Sequence, residues 1–184
     1  MSTTPHPLDR LDLRSLDLSN GAAAHVEGPV PLEDLVLGGQ RYHAEPRAPA
    51  GRVDVSVGSS GRLLRLRTRV DVVGPCWRCL GEARTPVSVD AREYAASNRP
   101  PGAEFDDDLD SAYLDGSILD VAAWARDSVV GELPPSILCQ PDCRGLCPTC
   151  GADLNAGQCG CPPPGPDERW AALGPLAERL RRDG

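Results

Sequence analysis

The chain has no lysine. All 19 of its basic residues are arginine, set against 27 acidic ones, for a formal net charge of −8. A surface of that sign lacks the clustered positive charge that broad, non-specific nucleic-acid binding requires, and it suits a basic partner better. Aromatic residues make up 4% of the chain, with a single Phe, so the core has to be built from Leu, Val and Ala. No apolar run approaches the ~18–20 residues of a membrane-spanning helix. Residues 1–20 show neither a basic n-region nor an apolar h-region. Neither a membrane span nor a secretory leader is therefore expected, and a cytoplasmic protein is.

Catalytic signatures are missing as well. His6, His25 and His43 fall in the irregular N-terminal third, as loop-surface residues without a Cys, Asp or Glu in catalytic spacing. There is no G-x-S-x-G, no Walker sequence, no dinucleotide fingerprint and no H-x-E with P-C-x-x-C. Asp106–Asp108 reads as a solvated run of carboxylates. Nothing assembles a nucleophile, a base and an oxyanion donor, so neither an enzyme nor a small-molecule substrate is expected.

What the chain does have is cysteine. Six of its eight lie between Cys139 and Cys161, and Cys76 and Cys79 form a C-x-x-C upstream. In a cytosolic protein such pairs point to metal more than to disulfides. Each tight turn aims two sulfurs at one point, and two turns complete a tetrahedral site for zinc, with iron the alternative. Cys147, Cys150, Cys159 and Cys161 are the most local set, because a short loop between the pairs makes closure cheap. Cys76, Cys79, Cys139 and Cys143 remain for a second site, unless Cys143 exchanges into the first. Four thiolates leave no coordination position for water, so such sites are structural. The rival reading is free thiols or a redox C-x-x-C, at Cys76–Cys79 or Cys147–Cys150. Gly151, directly after Cys150, is placed to take positive φ and turn backbone N–H groups toward the thiolates.

The rest reads mainly as strand. Leu11 and Leu13, then Leu16 and Leu18, alternate with polar residues, which suits a short strand with a bulge, or two strand fragments, better than a helix. From Asn20 to Gly51 the pattern is uninformative. Arg52–Val57 alternates, Gly58–Gly61 is turn chemistry, and Arg62–Val73 alternates again. Leu64, Leu66, Thr68, Val70 and Val72 share one face of that strand, while Arg65, Arg67 and Arg69 share the other, a solvated face or a contact for RNA or a partner. Gly74-Pro75 breaks the strand, and alternation resumes over Thr85–Tyr94. The two arms form an antiparallel meander with Cys76 and Cys79 at its tip. Residues 97–110 read as a flexible acidic loop. Ser117 opens a helix with Ile118, Val121, Ala122, Ala125 and Val129 on one face, stopped by Pro134-Pro135. A second helix is expected over Asp167–Arg182, kinked at Gly174-Pro175.

The fold class expected is α+β: an antiparallel sheet or small open barrel, one or two helices, and a cysteine-rich, metal-binding C-terminal segment. Residues 1–135 form the β-rich part with its closing helix. Residues 136–184 form the cysteine knuckle and terminal helix, packed on the first part as one unit.

The order of motifs resembles one family. C-W-R-C-L at Cys76–Leu80 lies between strands. The helix of Ile118–Pro135 ends E-L-P-P, and C-R-G-L-C-P-T-C-G-A-D-L-N follows within Cys139–Asn155. Cys159–Cys161 and Asp167–Leu173 complete the series. This is similar to the YceD family of large ribosomal RNA subunit accumulation proteins. The resemblance implies a cytoplasmic bacterial, non-enzymatic assembly factor needed for accumulation or processing of large-subunit ribosomal RNA. The expected partners are ribosomal RNA or a large-subunit ribosomal protein, and an alternative reading is a dedicated chaperone of one such protein.

Overall fold

The computed structural model describes residues 6–96 and 111–162, together with residues 169, 173, 174, 179 and 182. The whole acidic loop of residues 97–110, Asp106–Asp108 included, and most of the second helix lie outside the described residues. The chain divides into two compact units, Met1–Pro141 and Asp142–Gly184.

The first unit is organised on a long hairpin. Strands β6 (Gly61–Pro75) and β7 (Glu82–Ala96) pair antiparallel over their whole length, from Gly61 opposite Ala96 to Pro75 opposite Glu82. Period-two alternation sends Leu64, Leu66, Thr68, Val70 and Val72 of β6, and Ala83, Val87, Val89 and Ala95 of β7, into the core. The other edge of β6 is shared by two strands. β5 (Ala50–Val57) pairs with its first half, and β4 (Gln40–Glu45) pairs with Asp71–Val73. Strands β2 (Ala23–Pro29) and β3 (Leu35–Leu37) extend the sheet beyond β5 and β4. The result is an open antiparallel sheet and not a closed barrel.

A second, three-stranded sheet joins β1 (Arg10–Asp12), β8 (Leu114–Asp115) and β9 (Ile118–Asp120) in the order β1-β9-β8. The helix α1 (Val121–Gly131) starts here, three residues later than its apolar spacing predicts. Ile118–Asp120 is taken by pairing with Arg10–Asp12, which buries Leu119 completely. Asp120, not Ser117, is the N-cap, and its carboxylate accepts from the Ala123 N–H at 2.9 Å. Val121, Trp124, Ala125 and Val129 form the buried face. His25 and His43 lie on β2 and β4 and not on loops, because both strands are recruited by pairing with β5 and β6.

Close packing of a tyrosine on a glycine fixes the surroundings of the turn that carries Cys76 and Cys79. The Tyr42 ring lies across Gly74, where a Cβ would stand only 2.3 Å from Tyr42 Cδ1, and its hydroxyl donates to the Pro75 carbonyl at 3.0 Å. Only glycine lets the ring approach there. The β3–β4 hairpin is thereby held against the end of β6, beside that turn.

Candidate metal centres

Two groups of four cysteines converge. The sulfurs of Cys76, Cys79, Cys139 and Cys143 all lie within 4.8 Å of one another, and so do those of Cys147, Cys150, Cys159 and Cys161. Cys143 thus sits with the upstream pair and not in the local set. Four sulfurs about 2.3 Å from a tetrahedral ion stand about 3.8 Å apart. The Cys79 and Cys139 sulfurs are 3.6 Å apart, close to that edge and far beyond the ~2.05 Å of a disulfide. All eight cysteines are unbridged. The donor set therefore fits one tetrahedral ion per group.

The two C-x-x-C turns are built alike. In the first, the Leu80 N–H donates to the Cys76 carbonyl at 3.0 Å. In the second, the Gly151 N–H donates to the Cys147 carbonyl at 2.9 Å. The residue after the second cysteine is left-handed in both, with φ of 73° at Gly151 and 60° at Leu80. Glycine takes that conformation freely, whereas leucine is strained in it. The Arg78 N–H is directed at the Cys76 sulfur at 3.4 Å. The Cys76 N–H donates to Gly81 O at 2.7 Å, and the Trp77 N–H donates to Ile137 O at 2.8 Å.

This geometry favours thiolate. Burial opposes ionisation of Cys76, but N–H groups of Cys79, Cys139 and Arg78 prevail and bring its thiol down from 9.0 to about 6. The N–H groups of Cys150 and Thr149 do the same for Cys147, also to about 6. Hydrogen bonding to Cys150 pushes Cys161 up to about 12. In both groups backbone N–H groups thus favour ionisation of the first cysteine of the C-x-x-C, and in the second group hydrogen bonding opposes ionisation of Cys161. A divalent ion displaces thiol protons on binding.

A short ladder inside the second unit supports the sulfurs. Cys147 N–H donates to Ala152 O at 2.8 Å, and Leu154 N–H to Gly145 O at 2.9 Å. Asn155 is the residue that spacing alone does not single out. Its amide N–H donates to the Cys143 sulfur at 3.4 Å, while its side-chain oxygen accepts from the Arg144 N–H at 2.8 Å. It thus comes from the loop between Cys150 and Cys159 to steady a sulfur of the other group. Hydrogen-bonding partners of metal ligands typically contribute 10–100-fold in metal affinity. Asn155→Ala is expected to weaken metal retention by about that factor, read by competition with a chromophoric chelator. An unchanged competition curve would count against the assigned role.

The arginines of β6 occupy a different kind of face. Arg65 makes a two-pronged pair with Asp90, both contacts at 2.6 Å. Arg67 reaches Asp54 at 2.7 Å, Asp54 accepts from Arg52 at 2.8 Å, and Arg52 reaches Glu27 at 3.0 Å. The Arg65 guanidinium holds Asp90 below the usual carboxylate range. For Asp54 partial burial opposes ionisation, but Arg67 and Arg52 outweigh it and hold this carboxyl low too. Arg69 is exposed and has no carboxylate partner among the described residues. No helix among the described residues is long and apolar enough to cross a membrane.

Comparison with known proteins covers the region that carries all eight cysteines. A family model described as "Large ribosomal RNA subunit accumulation protein YceD" matches residues 64–177. An uncharacterised protein of Mycobacterium tuberculosis is 29% identical over 197 residues, covering 94% of this chain and 95% of its own length. Two chloroplastic homologues described as large ribosomal RNA subunit accumulation proteins match smaller parts. That of Arabidopsis thaliana is 33% identical over 64 residues, and that of Zea mays 39% identical over 61 residues. Those matches span 35% and 33% of this chain, and 20% of each plant protein. No solved structure matches. With more than half of its length matched by that model, the strand pair around Cys76 and Cys79 and the whole cysteine run included, the chain belongs to the YceD family.

Proposed function

We propose that this protein is a non-enzymatic factor of large-subunit ribosome biogenesis in the bacterial cytoplasm, supporting accumulation or processing of large-subunit ribosomal RNA. The observation that carries the reading is the family match across the cysteine-bearing region, since the family is described by ribosomal RNA accumulation. The two four-sulfur groups support a structural role for bound zinc, because an ion with four thiolates has no position left for water or substrate. The partner is ribosomal RNA or a large-subunit ribosomal protein, met by a surface that the metal-held turns present. Arg69, with Arg65 and Arg67 beside it on β6, belongs to a candidate contact face. Depletion in cells is expected to raise precursor and lower mature large-subunit RNA while small-subunit RNA holds steady. Unchanged precursor and mature large-subunit RNA would sink the reading. Elemental analysis with thiol titration separates it from a thiol-redox function: bound zinc with few reactive thiols supports structure, and a metal-free protein with a reversible disulfide does not.

A further inference from the structure

The tip of the β6–β7 hairpin carries a contradiction. Most large apolar side chains of the first unit are buried, yet Trp77 is 62% exposed and Leu80 57% exposed, both on the Cys76–Gly81 turn. Val36, on the adjoining β3–β4 hairpin, is 62% exposed. The two hairpins meet, since the Trp77 ring lies 3.5 Å from where a Cβ of Gly38 would be. Leu80 incurs two penalties at once. It stands in the left-handed conformation that glycine takes in the sister turn, and it shows its side chain to solvent. Glycine at this position would relieve both. Local rules broken in this way mark sites kept for a purpose other than stability.

Charge indicates what the tip meets. Segments 36–41 and 76–81 contain Arg41 and Arg78 and no carboxylate, in a chain whose acidic residues outnumber the basic ones by 8. Both arginines are exposed, and Arg41 stands opposite Val36 on the hairpin. An exposed indole with flanking guanidiniums and apolar ledges is the chemistry that takes an unpaired base by stacking and its phosphate by charge. The backbone is already organised for it: the bonds from Trp77 N to Ile137 O and from Leu80 N to Cys76 O fix the turn before any partner arrives.

We propose that the Trp77–Leu80 tip is a single-stranded RNA contact, with Trp77 stacking on an unpaired base, Leu80 and Val36 flanking it, and Arg78 and Arg41 facing the phosphates. The inference rests on the ribosomal RNA function proposed for the chain and names the residues that make its contact.

The test uses the full-length, metal-loaded protein and a fluorescein-labelled single-stranded RNA of about 12 nucleotides, with the duplex of the same sequence as comparison. Trp77→Ala is expected to weaken single-strand binding by about 5- to 150-fold, the range for one lost base stack, and Trp77→Phe to retain most of it. Leu80→Gly is expected to raise thermal stability and still lower RNA affinity, a split that a purely structural role does not produce. Metal content and far-ultraviolet spectra serve as the folding controls. If wild type and Trp77→Ala bind the RNA equally, the tip assignment is wrong and the ribosomal RNA function stands. If the wild type does not bind single strands, and Trp77→Ala instead loses a large-subunit ribosomal protein that co-purifies in high salt, the tip is a protein dock and the inference falls. Failure of the function itself is read separately, from unchanged precursor RNA on depletion.

Discussion

Stripping the metal proposed for the cysteine groups is expected to unfold the described part of the second unit while the β5–β6–β7 sheet stays folded. Within residues 142–162 the buried side chains are those of Cys143 and Cys147, and no aliphatic or aromatic residue is buried there. A segment of that size cannot offset its conformational entropy with so little apolar burial. Structural zinc supplies about 10–16 kcal/mol in small thiolate domains, which is ample to hold a short ladder and two turns. The strands by contrast rest on Val53, Val55, Leu64, Leu66, Val70 and Val72, whose burial does not depend on an ion. Hydrogen exchange with and without a strong chelator is the measurement. Amides of Cys147, Gly151 and Leu154 should lose protection on chelation, while those of β6 keep theirs. Protection that persists in protein shown to be metal-free would overturn the structural role of the ion.

Replacing Trp124 by alanine should be the most damaging single change in the first unit. The side chain is 1% exposed and is the largest fully buried residue of the core. It anchors α1 and stacks on Tyr113, with ring centroids 6.2 Å apart at 23°, while Tyr113 donates to Asp127 at 3.2 Å. Truncation of a buried Trp costs about 3–5 kcal/mol, with about 0.5–1.5 kcal/mol more from the lost stack. Against a total of about 5–15 kcal/mol, that consumes much of the stability. A fall of about 2 M in the urea midpoint is expected at ordinary denaturant sensitivity, and Trp124→Phe should restore most of it. A shift below about 0.5 M would show that α1 contributes little to the core.

The long hairpin was legible in the sequence because alternation over Arg62–Val73 and Thr85–Tyr94 is a direct image of a sheet with one buried face. The cysteine pairs were legible because each tight turn brings two sulfurs together, whereas spacing left Cys143 open to either group, and its sulfur lies within 4.8 Å of those of Cys76, Cys79 and Cys139. Three features were not legible, each for a physical reason. Strand β2 reads A-A-H-V-E-G-P, with little strand propensity, and exists through its pairing with β5. Ile118–Asp120 fits a helical face as well as a strand, and only the distant Arg10–Asp12 decides between them. Asn155 looks like an ordinary loop residue until the fold brings Cys143 within reach of its amide.

The arginine lattice on the outer face bears on how RNA binding would respond to salt. Binding that neutralises free cations releases counterions, and affinity then falls steeply as salt rises, with a slope of about 0.7 per phosphate for single strands. Arg65 and Arg67 already hold Asp90 and Asp54. A phosphate arriving there exchanges one anion for another and sets few ions free. A shallow salt slope would therefore report an RNA strand lying across that lattice. A steeper one would report contact with cations that have no resident carboxylate, of which Arg69 is the nearest example.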